Sequence, residues 1–121
     1  MKTTLEQVKE FHHKFVEEPG LDIKTIRDVR PTLIKEEFDE LIEAINCDDR
    51  LGILDALTDL QYVLDGTYIA FGLDHVKEVA FAEVHRSNMS KLGRDGKPIF
   101  RADGKVLKGD RYSPPNLGQF I

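Results

Sequence analysis

The stretch IKEEFDELIEAINCDDRLGILDALTD, residues 34–59, carries the main indication of fold class. Its first half repeats apolar side chains at the three-to-four spacing of one helix face: Ile34, Phe38, Leu41 and Ile45. Residues 47–49 have the polar character of a turn, and a second apolar series starts at Ile53 and Leu57. Because helices joined by so short a turn run antiparallel, the stretch predicts a helical hairpin.

Helical periodicity continues on both sides of this hairpin. The predicted helices cover about residues 5–16, 31–46, 51–71 and 75–91. Residues 20–30 are expected to be irregular, Gly72 is expected to stop the third helix, and Asp74 is expected to cap the fourth. The sequence therefore predicts an all-α fold, an antiparallel bundle of about four main helices.

The sequence changes character after Gly93. Ile99-Phe100 and Val106-Leu107 flank Asp103-Gly104, a favoured turn pair, which predicts a short β-hairpin. The segment around Pro114 is expected to be extended. We thus expect a C-terminal hairpin or extended tail after the helices.

Charge separates the same two parts of the chain. Residues 1–90 carry 10 basic against 19 acidic side chains, whereas residues 91–121 carry 7 against 3. We expect a single domain, with a helical body over residues 1–92 and a basic C-terminal extension over residues 93–121. The charges of the extension are expected to be mostly solvated, with closure over an anionic ligand or docking on a neighbouring subunit as the alternatives.

Composition excludes several classes of protein. The 121 residues, 40% of them hydrophobic and 32% charged, are typical of one globular domain. The sequence contains no run of about 18 apolar residues, which is the length that a membrane-spanning helix needs. A net charge of −5 argues against a nucleic-acid partner, and the single Cys47 excludes an intrachain disulfide or a multi-cysteine zinc site. The first residues lack the apolar stretch of a secretory signal, so a cytoplasmic location is expected.

Carboxylates gather along one edge of the second helix. At about 100° per residue, Glu37 falls inside the apolar arc, where a charge is costly unless it is paired or bound to a cation. Glu36 and Glu40 extend the patch along the same edge. The alternative is a helix edge whose acids pair with basic residues elsewhere.

The third helix repeats this arrangement. Asp59 borders its apolar arc, Asp55 lies one turn earlier, and Gly66 leaves space for close approach of another backbone. Asp65 lies on the other flank and is interpreted as a solvated or capping acid. If the two acidic edges face each other, four or five carboxylates converge, a ligand set that suits Mg²⁺ or Mn²⁺.

The pattern Glu36-Glu37-Phe38-Asp39-Glu40, followed by Asp55-Ala56-Leu57-Thr58-Asp59, resembles the EExxE…ExxD signature of the all-α nucleoside triphosphate pyrophosphohydrolases. This superfamily includes MazG-like proteins, dimeric dUTPases and phosphoribosyl-ATP pyrophosphohydrolases. The resemblance covers residues 1–92, and residues 86–91 are similar to the segment with Asn and Lys that follows the metal-binding helices in MazG-like enzymes. The sequence departs from the pattern at Ala56, where the family has Glu.

The resemblance implies hydrolysis of a nucleoside triphosphate between the α and β phosphates, with Mg²⁺ or Mn²⁺ as cofactor. It implies metal ligation by Glu37, Glu40 and Asp59, with Asp55 as a further ligand in place of the missing Glu. Glu36 is expected to be another ligand or the base that orients water. A homodimer or a dimer of dimers is implied as well.

Asn88 and Lys91 are the expected substrate-binding residues, through an amide on the sugar or base and an ammonium on phosphate oxygens. For Lys91, a structural role is an equal alternative to substrate binding, since a positive charge at the C-terminal end of a helix complements the helix dipole. The alternatives for the whole protein are a hydrolase of a phosphoribosyl nucleotide or a deoxyuridine nucleotide, and a module that binds Mg²⁺-nucleotide without turnover, which Ala56 favours.

Two further pairs of residues are expected to be structural. His12 and His13 point about 100° apart on a helix and are interpreted as surface residues rather than a metal pair. Tyr62 and Tyr68 are expected to be core or interface residues rather than base-stacking ones.

Overall fold

A computed structural model describes residues 1–121 and shows an all-α protein with one two-stranded hairpin, as the sequence predicts. The helices are α1 (Thr4–His12), α2 (Ile23–Asp28), α3 (Arg30–Asn46), α4 (Arg50–Ala70) and α5 (Lys77–Met89). The strands are β1 (Ile99–Phe100) and β2 (Val106–Leu107). The chain forms two compact units, Met1–Asp74 and His75–Ile121. The division after residue 92 stays a prediction.

The first unit is built on the antiparallel pair α3 and α4. Their connection is the predicted turn, in which Asp48 has a positive φ of 51°. Asp49 then caps α4, since its carboxylate accepts the N–H of Gly52 at 3.0 Å. A Cβ on Gly52 would lie 3.3 Å from the Cβ of Ala44, so glycine at this position allows the two helices to approach closely.

Helix α1 packs against α4 and begins with a capping box. The Thr3 hydroxyl accepts the N–H of Glu6 at 3.1 Å, and the Glu6 carboxylate accepts the N–H of Thr3. Phe11 meets Tyr62 of α4 edge to face, with ring centroids 5.7 Å apart. This contact agrees with the structural role expected for Tyr62.

The prediction of an irregular passage over residues 20–30 is wrong, because α2 forms there. Asp22 caps it by accepting the N–H of Thr25 at 2.8 Å. Arg27 then donates to the carbonyl of Ala70 at 2.9 Å and lies over the ring of Phe71, which ties α2 to the end of α4. Six residues are too few to show the apolar repeat from which the other helices were predicted.

Small side chains fill most of the interior of the first unit. The buried apolar residues are Val8, Ile26, Ala44, Ala56 and Ala70. Several larger residues of the predicted apolar arcs are half exposed, including Phe38 at 52% and Ile45 at 51%. The helices therefore present broad apolar faces that this chain alone leaves uncovered.

The second unit contains α5, the hairpin and a C-terminal segment that ends in a short 3₁₀ turn, Leu117–Phe120. The predicted hairpin is confirmed, with Ile99 opposite Leu107 and Gly104 at a φ of +88° in its turn. None of the helices combines the length and apolar character needed to cross a bilayer.

The start of α5 differs from the prediction. Asp74 opens a 3₁₀ turn, Asp74–Val76, and α5 begins at Lys77 with Val76 in the N-cap position. Asp74 forms an ion pair with Lys9 of α1 at 3.1 Å. The sequence could not predict this ion pair, because Lys9 lies on a helix that is distant from Asp74 in the chain.

Candidate active site

The α3–α4 pair brings three carboxylates together. Glu37 and Glu40 lie one turn apart on α3, and Asp59 faces them from α4. One oxygen from each lies within 4.8 Å of the other two. The antiparallel hairpin thus brings Asp59 to two residues that precede it by 19 and 22 positions in the chain.

Glu37 is the electrostatically strained member of this group. Its Oε2 is buried and has no hydrogen-bond donor. Burial, followed by the charges of Glu40, Asp59 and Glu36, raises the pKa of the Glu37 carboxyl. The protein therefore holds an unneutralised buried oxygen beside two further carboxylates, an arrangement that a bound cation would stabilise.

The donor set fits a hard divalent cation. All three groups offer carboxylate oxygens, which Mg²⁺ and Mn²⁺ prefer, and no basic side chain forms an ion pair with any of them. By contrast, Asp39 on the opposite face of α3 pairs with Lys35 at 2.5 Å. The acids at the site are thus distinct from the ordinary ion-paired acids of the same helix.

The other predicted carboxylates lie outside this group. Asp55 is exposed and lines a neighbouring cavity of about 260 Å³ with Glu40 and Asp49, while Ala56, at the position of the family's Glu, is buried. Glu36 is exposed on α3 beside Glu37. The roles of Asp55 as a ligand and of Glu36 as a base stay predictions.

The two predicted substrate-binding residues belong to the second unit. Asn88 is exposed in the last turn of α5, and Lys91 follows the helix end with its side chain half buried. The carbonyl of Lys91 accepts the N–H of Gly109 at 2.9 Å. Their part in nucleotide binding also stays a prediction.

His12 is buried, contrary to the prediction that both histidines lie at the surface. Both of its ring nitrogens lack hydrogen-bond partners, and burial together with nearby Arg30 lowers the pKa of its imidazole. His12 and Arg30 line a mostly apolar cavity of about 170 Å³ with Tyr62 and Gly66. The signal was available, because His12 continues the buried face of α1 one turn after Val8.

The close neighbour of Gly66 is a side chain, that of Arg30, and not the expected backbone of another helix. A Cβ at this position would lie 2.6 Å from Nη1 of Arg30, so a guanidinium rather than a second helix backbone occupies the space. Arg30 lies two turns before Glu37 on α3, and Gly66 lies two turns after Asp59 on α4. The arginine and the carboxylate group therefore occupy different levels of the same helix pair.

The interpretation of Asp65 as a solvated acid is wrong. Its side chain has no solvent exposure, and its Oδ1 accepts a hydrogen bond from the amide of Gln61 at 3.1 Å. Together they line a cavity of about 450 Å³ between α1 and α4. The hydrogen bond from Gln61 reduces the free-energy cost of burying the Asp65 carboxylate. The prediction considered only the helical spacing between Asp65 and Asp59, which does not reveal that Asp65 is buried.

Comparison with known proteins identifies relatives of this chain. It is 42% identical over 98 residues to an uncharacterized protein of Acanthamoeba polyphaga mimivirus, a match that covers 81% of this chain and 34% of that protein. The chain thus spans about a third of the viral protein's length.

Residues 8–88 match the family description "Phosphoribosyl-ATP pyrophosphohydrolase". The matched range contains the α3–α4 pair with Glu37, Glu40 and Asp59. The chain therefore belongs to the phosphoribosyl-ATP pyrophosphohydrolase family, within the MazG-like all-α pyrophosphohydrolase superfamily.

Proposed function

We propose that this protein is a metal-dependent nucleoside triphosphate pyrophosphohydrolase that cleaves between the α and β phosphates and releases a nucleoside monophosphate and pyrophosphate. The family supports a pyrophosphohydrolase of the phosphoribosyl-ATP type. The observation that carries the proposal further is the Glu37 carboxylate, which has a buried, unpaired Oε2 and offers one oxygen within 4.8 Å of oxygens of Glu40 and Asp59.

Glu37, Glu40 and Asp59 would hold Mg²⁺ or Mn²⁺, and Asp55 would contribute from the adjoining cavity. The metal, when bound, neutralises phosphate charge and polarises the attacking water. Glu37 suits ligation because its raised pKa reflects a negative charge that only a cation or proton can compensate.

Glu36 is the proposed general base. It is exposed on α3 next to Glu37 and forms no ion pair, so its carboxylate is free to accept a proton. In the proposed step it takes a proton from water as the water oxygen bonds to the α phosphorus. The bond from that phosphorus to the bridging oxygen breaks, and pyrophosphate leaves.

In this proposal, the Asn88 amide forms hydrogen bonds to the sugar or base of the nucleotide. The Lys91 ammonium interacts with the negatively charged phosphate oxygens. Lys91 forms no ion pair with a protein carboxylate. Its charge is therefore available to an anionic ligand.

The test is release of pyrophosphate and monophosphate from a panel of nucleotides that includes phosphoribosyl-ATP and deoxyuridine triphosphate, with Mg²⁺, Mn²⁺ or chelator. We expect metal-dependent release from a narrow subset and its loss in Glu37→Gln. Asp39→Asn, on the opposite face of α3, is the matched control and should retain activity.

One specific observation favours a second candidate, a module that binds Mg²⁺-nucleotide without turnover. Ala56 stands where the family has a Glu ligand and is buried, and Asp55 is exposed and lies outside the group of Glu37, Glu40 and Asp59. Nucleotide-induced stabilisation without pyrophosphate release across the panel would select this candidate and reject hydrolysis.

We also propose that the protein forms a homodimer or a dimer of dimers. Support comes from the large apolar side chains that one chain leaves exposed on α3, α4 and α5, such as Leu51 at 77% and Phe81 at 71%. Light scattering on the purified protein should give a mass of two or four chains, and a monomer at micromolar concentration would reject this proposal.

A further inference from the structure

The end of α5 is held by residues 109–116, which we call the C-terminal strap. The Ser113 N–H donates to Oγ of Ser90 at 2.9 Å, and Arg86 donates to the carbonyl of Pro114 at 3.2 Å. The Asn116 N–H donates to the Glu83 carboxylate at 2.7 Å. The strap is thus attached at successive turns along one face of α5.

Glu83 carries the strongest of these attachments. Arg86 donates to both of its oxygens, at 2.7 and 3.0 Å, in addition to the bond from Asn116. The bonds from Arg86 and Asn116 lower the pKa of Glu83 to about 2, so the carboxylate is ionised throughout the physiological range. Glu83 therefore joins α5 and the strap through a charged network.

The strap also controls the backbone at Lys91. Helix α5 ends at Met89, and in the turn that follows the Lys91 N–H donates to the Asn88 carbonyl at 3.2 Å. The Lys91 carbonyl lies beyond the helix and accepts the N–H of Gly109 at 2.9 Å. A Cβ on residue 109 would lie 2.6 Å from the carbonyl oxygen of Leu92, so this contact requires glycine.

The functional side chains remain accessible while the strap is in place. Ser87, on the face of α5 that the strap follows, is buried, whereas Asn88 is exposed. The Lys91 ammonium forms no ion pair. The strap thus contacts the backbone at the end of α5, while the Asn88 amide is exposed and the Lys91 ammonium has no carboxylate partner.

We propose that the C-terminal strap positions Lys91 for the phosphate groups of the nucleotide, with Glu83 and Gly109 as the positioning residues. This inference rests on the proposed function, in which Lys91 binds phosphate. A lysine side chain loses considerable conformational entropy when it binds a ligand. If the backbone at the lysine is already held in place, binding has to order fewer torsion angles and the entropy cost is smaller.

A double-mutant cycle tests whether Glu83 acts through Lys91. The variants are Glu83→Gln, Lys91→Ala and their combination, and the probe is magnesium pyrophosphate binding by calorimetry, with KM and kcat measured alongside. Loss of one charged hydrogen bond predicts a Kd about 10-fold weaker for Lys91→Ala and about 3- to 10-fold weaker for Glu83→Gln. The combination should be no weaker than Lys91→Ala alone, because Glu83 then has nothing to position.

Two further variants complete the design. Gly109→Ala displaces the strap at Lys91 without altering any charge and should weaken pyrophosphate binding and raise KM as Glu83→Gln does. Lys105→Gln removes one positive charge from the hairpin turn, away from the attachments, and is the matched control, with Kd expected within about twofold of the wild type.

The outcomes separate this proposal from the proposed function. Additive losses from Glu83→Gln and Lys91→Ala, or an unchanged Kd in Gly109→Ala, would overturn the positioning role even if the wild type hydrolyses nucleotides. Absent turnover, combined with pyrophosphate binding that shows the non-additive pattern, would overturn the proposed hydrolysis and support the strap.

Discussion

Replacing Glu37 by Gln should stabilise the metal-free protein while abolishing its response to Mg²⁺. The expectation follows from three carboxylate oxygens within 4.8 Å of one another, one of them buried and unpaired. Most polar substitutions at a functional helix destabilise, so a gain in stability is a distinctive result.

The size of the gain can be worked from the distance. Two unit charges 4.8 Å apart repel by about 1 kcal/mol at the dielectric constant of water and about 3.5 kcal/mol at an effective value near 20. Because Glu40 is exposed, we take the lower figure for each of the two pairs that Glu37 forms, one with Glu40 and one with Asp59. Removing the Glu37 charge should then stabilise the protein by about 1–2 kcal/mol, or about 3–8 °C in Tm.

The pH dependence has a definite sign. The folded-state pKa of Glu37 is raised, so the folded protein binds this proton more tightly than the unfolded chain. Its contribution to stability is complete below the ordinary carboxyl pKa and is lost as pH rises through the raised value. The stabilising effect of Glu37→Gln should therefore be small at acidic pH and largest at neutral pH.

The assay is thermal unfolding by circular dichroism, first with chelator and then across a Mg²⁺ titration. Wild type should gain stability with Mg²⁺, and Glu37→Gln should begin higher and stay constant. Asp39→Asn, whose carboxylate pairs with Lys35, should keep the Mg²⁺ response. A Glu37→Gln protein that is less stable than wild type in chelator, or that keeps its Mg²⁺ response, would refute the reasoning.

Three further outcomes are expected. Ala56→Glu, which restores the family residue, should preserve or raise pyrophosphate release in a Mg²⁺-dependent assay, and complete loss of a measurable wild-type rate would show that Asp55 maintains a different ligand geometry. Burial lowers the pKa of the His12 imidazole, so the contribution of His12 to stability is complete above the ordinary histidine pKa near 6.5 and is lost as the pH falls below that value. His12→Leu should therefore flatten the dependence of Tm on pH between about pH 7 and 5. An unchanged slope would assign the acid sensitivity to other groups. Gly66→Ala would place a methyl group 2.6 Å from the Arg30 guanidinium and should lower Tm by displacing it, whereas unchanged stability would show that the arginine moves at no cost.

Local chemistry made much of the fold predictable. The turn after Asn46, the stop at Gly72 and the hairpin at Gly104 each depend on residues that favour a particular backbone conformation within a few positions. The short helix α2 was missed because six residues contain too little periodicity, and its capping aspartate is also a common loop residue.

The candidate site was predictable in part for the same reason. Glu37 and Glu40 share an edge of α3 because a helix rotates by a constant angle per residue, and the short turn requires α4 to return alongside. Helical phase placed Asp59 on the facing edge. It could not show that Asp55, one turn earlier, would lie outside the carboxylate group, because that depends on how the two helices are rotated against each other.

The sequence by itself thus determined the four main helices, the hairpin between α3 and α4 and the carboxylates on their edges, since each follows from periodicity, turn chemistry and a constant helical rotation. Only the tertiary structure decided which polar groups lose contact with water. Asp65 is buried because α1 packs across α4, and Lys91 is held because the strap returns to the end of α5. Burial depends on contacts between distant segments, and a single helix contains no information about which neighbour will cover each of its faces.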